Sequence, residues 1–432
     1  MSLSLGMGLG LTMQRGGSWL GSYDFEGNEA VFVDNFVAAQ YFNDGVKSFA
    51  ALNTFTRASD GTYENSSGVV QTAAANEARF PYRSGTAEGG LIEPAATNLR
   101  TRSEDFTHGD WNYDGASSSG NTIAGPDGLV TADTITENTA NSLHRVIDYA
   151  GADNTRHTIS RWVKADGRTK FTMFAFDSDA DTNYASASFD IDAITSAAEP
   201  SGGNGVTHFT DIIEYANGWF RLIFSFTANT SGSGGIMNMQ VRLQNSGGAQ
   251  AYIGDGVSGI HIAAAQLELG DYATSYIKTE ASSASRASDA LSTTSGGLPY
   301  ADWDATKVSG KIAVTPLADG ALNYVSFNDG TSNEVIQIHQ DASNNVRLTV
   351  TDGGSVQCDI DSLVNAIVGT ELVIAYRAGA NDFAISVNGN AEQTDASGTM
   401  PTVTTQDIGE NCTFKSHVAY AALITDLATL ST

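Results

Sequence analysis

The chain has 432 residues, 45 glycines, seven prolines, and 22 Lys+Arg against 49 Asp+Glu for a formal net charge of −27. That length suits about two to three domains, and a composition rich in Gly, Ser, Thr, Asn and Asp points to short strands and tight turns rather than helices. The acidic surface repels phosphate backbones and anionic lipids, which excludes nucleic acid as a partner, and the absence of an apolar run of about 18 residues excludes membrane insertion.

The first residues, "MSLSLGMGLGLTM", alternate strictly: Leu3, Leu5, Met7, Leu9, Leu11 and Met13 take one face, with serine and glycine on the other. This is a strand with one greasy and one nearly bare side, without the basic start or cleavage site of an export signal. Glycine loses much entropy on ordering, so such a strand needs a partner sheet. Residues 1–20 are read as an anchoring arm that adds to a partner or to sister subunits; a first strand of its own domain is the alternative.

Residues 21–100 contain short aromatic and β-branched pieces broken at "EGN", "NDG", "SDG" and "SSG". They read as an extended attachment segment that wraps on neighbours, with Phe25, Phe32, Phe36, Phe42, Phe49 and Phe55 as pegs. "SEDF" then sets Glu104 beside Asp105. Neighbouring strand residues point to opposite faces, so this pair cannot flank a substrate together unless a loop distorts it.

From 101 to 289 follow strand candidates such as "HTISRWVKA", "TKFTMFAF", "SASFDIDA", "WFRLIFSFTA", "IMNMQVRLQ" and "IHIAAAQLEL", separated by glycine turns. Many short antiparallel strands without helices predict a two-sheet jelly roll. Aromatic rings can stack on the C–H face of a pyranose, and Trp111, Tyr113, Tyr149, Tyr184 and Tyr252 lie beside polar or glycine-rich sequence; each is a glycan-contact candidate or a packing residue. Trp162 and Trp219 sit inside apolar strands and read as core. Asp177, Asp179 and Asp181 have the alternate spacing of a calcium loop, but Thr182 and Ser188 stand where that loop needs glycine and a bidentate glutamate. Calcium is the one cofactor the sequence suggests, against a solvated turn.

A Gly/Ser-rich linker at 290–299 leads into a second all-β region at 300–432, with an Asn-Gly hairpin in "SVNGN" and one short helix expected in "DIDSLVNAIVG". Cys358 and Cys412 have no metal-ligand spacing and read as buried thiols. The fold class is thus all-β, with tandem antiparallel β-sandwiches after an extended N-terminal segment.

The segments "TRAS" (56–59), "ANEARF" (75–80) and "LIEPAATNL" (91–99), with "NGWFRLIFSFTA" and "QLELGDYATSYIKTEASSASRASD" downstream, resemble the leader and jelly-roll module of tailed-bacteriophage virion proteins over roughly residues 55–290. The last region resembles a concanavalin A- or laminin G-like sandwich. This resemblance implies a fibre, spike or decoration protein on the virion surface, assembled in the host cytoplasm. It also implies a homotrimer held to other virion proteins by its N-terminus, displaying carbohydrate-binding-like domains to host glycans. No nucleophile elbow, zinc helix or phosphate loop is present, so no enzyme is expected. A capsid-stabilising protein and a polysaccharide depolymerase are the alternatives.

Overall fold

The structure is a computed structural model, and it describes residues 23–28, 30–43, 46–152, 155–215, 217–228, 235–293, 306–420 and 422–432. The fold is all-β with antiparallel sheets, and the two helices among the described residues, Phe49–Leu52 and Leu427–Leu430, are single turns. None of the helices among the described residues could cross a membrane. The chain forms two compact units, one of residues 56–289 and one combining 1–55 with 290–432.

Unit 56–289 is a sandwich of two six-stranded sheets. One runs in the order Asn112–Asp114, Arg145–Ala152, Gly235–Gln244, Lys170–Asp177, Ala180–Asp190, Thr195–Gly202. The other runs Ala116–Ala124, Val130–Glu137, Gly259–Leu269, His157–Asp166, Phe220–Thr227, Val206–Glu214. Alternate residues of each strand face inward, as the two-residue strand period requires, and Phe171, Met173, Met239 and Val241 meet Ile159, Leu222, Phe224 and Ile262 in one core. Between the sheets Asp148 accepts from Arg161 Nη2 at 2.8 Å and pairs with Arg100 Nη1 at 2.9 Å.

The leader segments close on the sandwich through buried charge. Arg57 of "TRAS" reaches Asp289 at 3.2 Å, Arg79 of "ANEARF" pairs with both Asp289 and Glu93, and Arg286 lies 3.4 Å from Glu93 of "LIEP". The Glu93 backbone N–H also donates to Asp289 at 2.8 Å, so three guanidiniums and two carboxylates share one water-excluded clasp. Burial alone would raise the Glu93 carboxyl, but Arg79 and Arg286 outweigh it and hold it at about 2. Gly61 lets the clasp pack closely, since a Cβ on it would lie 3.0 Å from Arg57 Nε, tighter than most such contacts. Asn98 of "ATNL" donates to the Ala265 and Ile277 carbonyls and accepts from the Leu267 N–H, which stitches the leader to the Gly259–Leu269 strand.

In the other unit, one sheet follows Val46–Lys47, Gln40–Asn43, Ala30–Asn35, Cys412–Tyr420, Lys307–Pro316, Leu372–Gly379, Asp382–Val387, Gln393–Asp395. Its partner runs Ser355–Asn365, Asn345–Asp352, Val335–Gln340, Leu322–Asn328, Thr405–Ile408, Ala290–Thr293, Asn53–Thr56. Buried His417 links the sheets, bonding Tyr376 Oη at 2.8 Å and Gln406 Nε2 at 3.0 Å. The Leu427–Leu430 turn packs on the opposite face of its sheet, over Val33, Phe42 and Val418.

Several boundaries differ from the sequence reading. The described part of 21–55 is not an extended segment: Ala30–Asn35 pairs with Cys412–Tyr420, which turns Phe32 toward His417 between the sheets of the C-terminal sandwich and Phe42 toward the Leu427–Leu430 turn on the other face. The remainder of the attachment segment belongs with 101–289 through the clasp. Residues 290–293 of the expected linker are a strand paired to Thr405–Ile408. The expected helix in "DIDSLVNAIVG" lies largely in the strand Ser355–Asn365, where Cys358, Ile360 and Ser362 are buried and Asp359 and Asp361 point away. Its two-residue alternation overrides a helix-like spacing of apolar residues. The Asn-Gly turn is present, with φ of 51° at Asn388 and 72° at Gly389. Residues 1–20, including Leu3, Leu5, Met7, Leu9, Leu11 and Met13, lie outside the described residues.

Candidate functional site

The core claims one face of the Asn112–Asp114 to Thr195–Gly202 sheet, and the strand period places the intervening residues on the other. Register aligns these into rows. Tyr149, Asn238, Phe176 and Tyr184 form one row across four strands; Ile147, Gln240, Phe174, Ser186 and Glu199 form the next; Asp114, Arg145, Arg242 and Thr172 form the third. Neighbours within a row are spaced by the strand separation of about 4.8 Å, and successive rows by about 6.6 Å. The middle of the face is a floor of buried Asn238, Gln240 and Ser186, whereas Tyr149 at its margin is 44% exposed.

Planar groups cover this floor. Phe174 and Tyr184 stack with centroids 5.1 Å apart and planes inclined by 20°, Phe176 lies 5.8 Å from Phe174, and the Arg242 guanidinium sits 3.8 Å over the Phe174 ring. An amide relay fixes the polar groups between them. Arg242 Nε donates to Gln240 Oε1 at 2.7 Å, Arg145 Nη1 donates to the same oxygen at 2.9 Å, and Gln240 Nε2 donates onward to Asn238 Oδ1 at 2.8 Å. Arg242 Nη1 donates to Gln250 Oε1 at 3.0 Å. Burial, aided by the charge of Arg145, pushes Arg242 down to about 10, which leaves it a cation at neutral pH. Half-buried rings beside oriented amides and a guanidinium supply the two contacts a sugar needs: an apolar surface for its C–H face and directional partners for its hydroxyls.

Of the five aromatic candidates, Tyr149 and Tyr184 are brought to this face, in one row. The other three are not. Trp111 is 4% exposed, stacked on Phe106 at 4.4 Å, with Arg100 4.0 Å over its ring and its Nε1 donating to the Arg102 carbonyl. Its indole serves as a packing surface for the cations of the inter-sheet ion group. Tyr113 packs on the core and donates to the Phe106 carbonyl. Tyr252 is 7% exposed and donates to Glu137 Oε2 at 2.5 Å, under the Arg168 guanidinium. Polar and glycine-rich flanks marked these three as loop residues, but Tyr113 and Tyr252 lie on the short strands Asn112–Asp114 and Ala251–Ile253, and all three rings turn inward. Trp162 and Trp219 are core residues, each 1% exposed.

The acidic run does not converge. Asp177 is fully buried and its Oδ1 accepts from the Asp179 N–H at 2.9 Å, capping the turn that carries Asp179, while Asp181 lies beyond it in the Ala180–Asp190 strand. Among the described residues no three His, Cys, Asp or Glu side chains gather to hold a metal ion. Glu104 pairs with Lys278 at 2.5 Å and accepts from Tyr276 Oη, while Asp105 accepts from Thr107 Oγ1. A small cleft is lined by Trp162, Tyr276, Glu104 and Asp127. Asp127 Oδ1 accepts from the Leu129 N–H at 3.0 Å.

Phe174, Phe176, Gln240 and Arg242 were not singled out from the sequence. Their signal lies in "KFTMFAFD" and "IMNMQVRLQ", where the alternation of one strand leaves aromatic residues and that of the other leaves Asn, Gln and Arg on a common face.

No family model and no curated protein matches this chain. Solved structures overlap it weakly. The carbohydrate-binding module CBM40 of a Ruminococcus gnavus sialidase, bound to α2,3-sialyllactose, is 10% identical, covers 29% of this chain and 83% of its own, and has a TM-score of 0.26. Sheep galectin-11 in complex with glycerol is 16% identical over 26% of this chain and 90% of its own, with a TM-score of 0.22. Mouse laminin α1 domains LG4-5 are 8% identical over 68% of this chain and 92% of theirs, with a TM-score of 0.24. Overlaps at this level define neither a fold nor an activity.

Proposed function

We propose that this protein is a non-enzymatic glycan-binding adhesin of a virion surface, with the Tyr149–Tyr184 sheet face as its binding site. The observation that carries the reading is the face itself: four aromatic residues in two adjacent rows around an amide and guanidinium relay, on the side of the sheet that the core does not use. The virion setting rests on the leader motifs, which resemble those of tailed-bacteriophage appendage proteins. In that setting the first 20 residues anchor the chain to other virion proteins, a homotrimer presents three copies of the face, and repetition turns weak single-site binding into avidity. No cofactor enters this scheme, and EDTA is expected to leave binding unchanged.

The test is titration of purified full-length protein against host cells and their extracted surface polysaccharide, with reducing ends assayed in the same tubes. Saturable binding, competed by soluble polysaccharide and reduced at least about tenfold in Tyr149→Ala and Phe176→Ala, is the expected result. Release of reducing ends would make the protein a depolymerase. Absence of binding, together with lower particle stability on its removal, would make it a capsid-stabilising protein.

A further inference from the structure

Arg242 is an expensive residue at its position. The chain has 49 acidic residues against 22 basic ones, yet no carboxylate lies within ion-pair distance of this guanidinium among the described residues. Its hydrogen-bond partners, Gln240 and Gln250, are neutral, and a second cation, Arg145, donates to the same Gln240 oxygen. Arg145 is itself matched by Asp114 at 2.8 Å, so Asp114 is not available to Arg242. Of the other acids of the face, Asp190 pairs with Lys170 at 3.3 Å, and Glu199 is three strands away across the Lys170–Asp177 and Ala180–Asp190 strands, roughly 14 Å. A half-buried cation next to another cation is costly unless an opposite charge joins it, and sites that keep such a cost are where ligands supply the missing charge. The geometry is ready for one, because Nε and Nη1 are fixed by amide oxygens and the Phe174 ring supports the guanidinium plane, while among the described residues Nη2 has no partner.

We propose that the face recognises an acidic oligosaccharide, with Arg242 binding its anionic group and the Tyr149–Phe176–Tyr184 row stacking a neighbouring sugar. The inference rests on the glycan-binding reading above and deepens it. Asn238 and Arg242 are four residues apart on one strand, roughly 13 Å, the span of a short oligosaccharide. The net charge of −27 narrows the ligand further: a densely charged polyanion is repelled at long range, whereas a mostly neutral chain with isolated acidic groups is not. A carboxylate and a sulfate ester share the chemistry that Arg242 recognises.

The experiment is binding of the full-length protein, at near-physiological salt, to an array on which each glycan backbone is printed neutral, with a single carboxylate, and with a single sulfate. The expected result is retention on acidic members at least about tenfold above their neutral parents, an excess lost in Arg242→Gln and partly kept in Arg242→Lys. Preference within the acidic pair identifies the source of the charge. Should Arg242→Gln melt early, a salt titration of the wild type serves instead, since only binding to acidic members should weaken with salt. Binding of neutral and acidic members alike, with Arg242→Gln unchanged, overturns the acidic assignment and leaves the adhesin reading intact. Retention of no glycan overturns both.

Discussion

The substitution Asp289→Asn tests whether the leader motifs are a structural clasp. Asp289 accepts from Arg57, from Arg79 and from the Glu93 backbone N–H, and its side chain is fully buried. Asparagine keeps the shape and removes the charge, leaving Glu93 as the one carboxylate facing the three guanidiniums of the clasp. Breaking one side of a buried ion group costs about 3–5 kcal/mol, because the stranded charge stays out of water. For a unit of roughly 230 residues, with an unfolding entropy of about 0.5 kcal/mol/K, that lowers its melting temperature by about 6–10 °C. Calorimetry gives the shift, and Trp111, Trp162 and Trp219, all in this unit, report it by fluorescence. Acid gives a second reading. Glu93 is held at about 2 in the folded chain, below its ordinary value of 4.5, so its contribution is complete above pH 4.5 and is lost as pH falls toward 2. That contribution is about 3 kcal/mol in the wild type and should shrink in the variant if Asp289 holds the arginines in place. A shift below about 2 °C, or an unchanged acid limb, would refute the clasp as a source of stability.

Asp34 should behave in the opposite sense. It is fully buried, accepts from Asn53 at 3.1 Å, has no partner at Oδ2 among the described residues, and is pushed up to about 8 by burial. The folded chain then holds a proton that the unfolded chain releases above its ordinary pKa of 3.8, so stability falls as pH rises from about 4 to about 8. Asp34→Asn should flatten that slope and stabilise the C-terminal sandwich at pH 7 by up to about 4 kcal/mol in urea titrations; an unchanged slope would contradict this. Trp111→Ala should cost about 3–5 kcal/mol yet leave glycan affinity intact wherever the variant is folded; stable protein with lost binding would restore Trp111 as a contact. Cys358 and Cys412 are buried, with thiols pushed up to about 12 chiefly by burial, so a disulfide reagent should titrate neither in the native protein and both in urea.

Alternation made the all-β class and most strands of both sandwiches legible, because a strand with one buried face carries its period in the sequence. Long-range pairing was not legible. Nothing near "AVFVDN" says that its partner is "CTFKSHVAY", almost 400 residues away, and without that pairing 21–55 reads as a loose leader rather than as part of a sheet. The clasp shows the same limit: "TRAS", "ANEARF", "LIEP" and "SRASD" could be read as signatures, but only the fold shows that their charged residues meet. Loop aromatics misled for a related reason. A glycine-rich flank indicates a turn, not the direction in which a neighbouring ring points, and Trp111, Tyr113 and Tyr252 all point inward.

The candidate site occupies what the core leaves over. Packing selects Met237, Met239, Val241 and Leu243 on one strand and Phe171, Met173 and Ala175 on its neighbour, which accounts for every second residue and says nothing about the rest. Stability would accept small polar residues on the remaining face, such as those of the Ala116–Ala124 edge strand. Instead these strands carry Phe174, Phe176, Asn238, Gln240 and Arg242, and the two phenylalanines are only partly buried. Half-exposed rings and an unmatched guanidinium are features that folding alone disfavours. A function is therefore best sought where the residues of a strand are better than the solvent face requires and worse than the core would choose, and in this unit those residues converge on one sheet face.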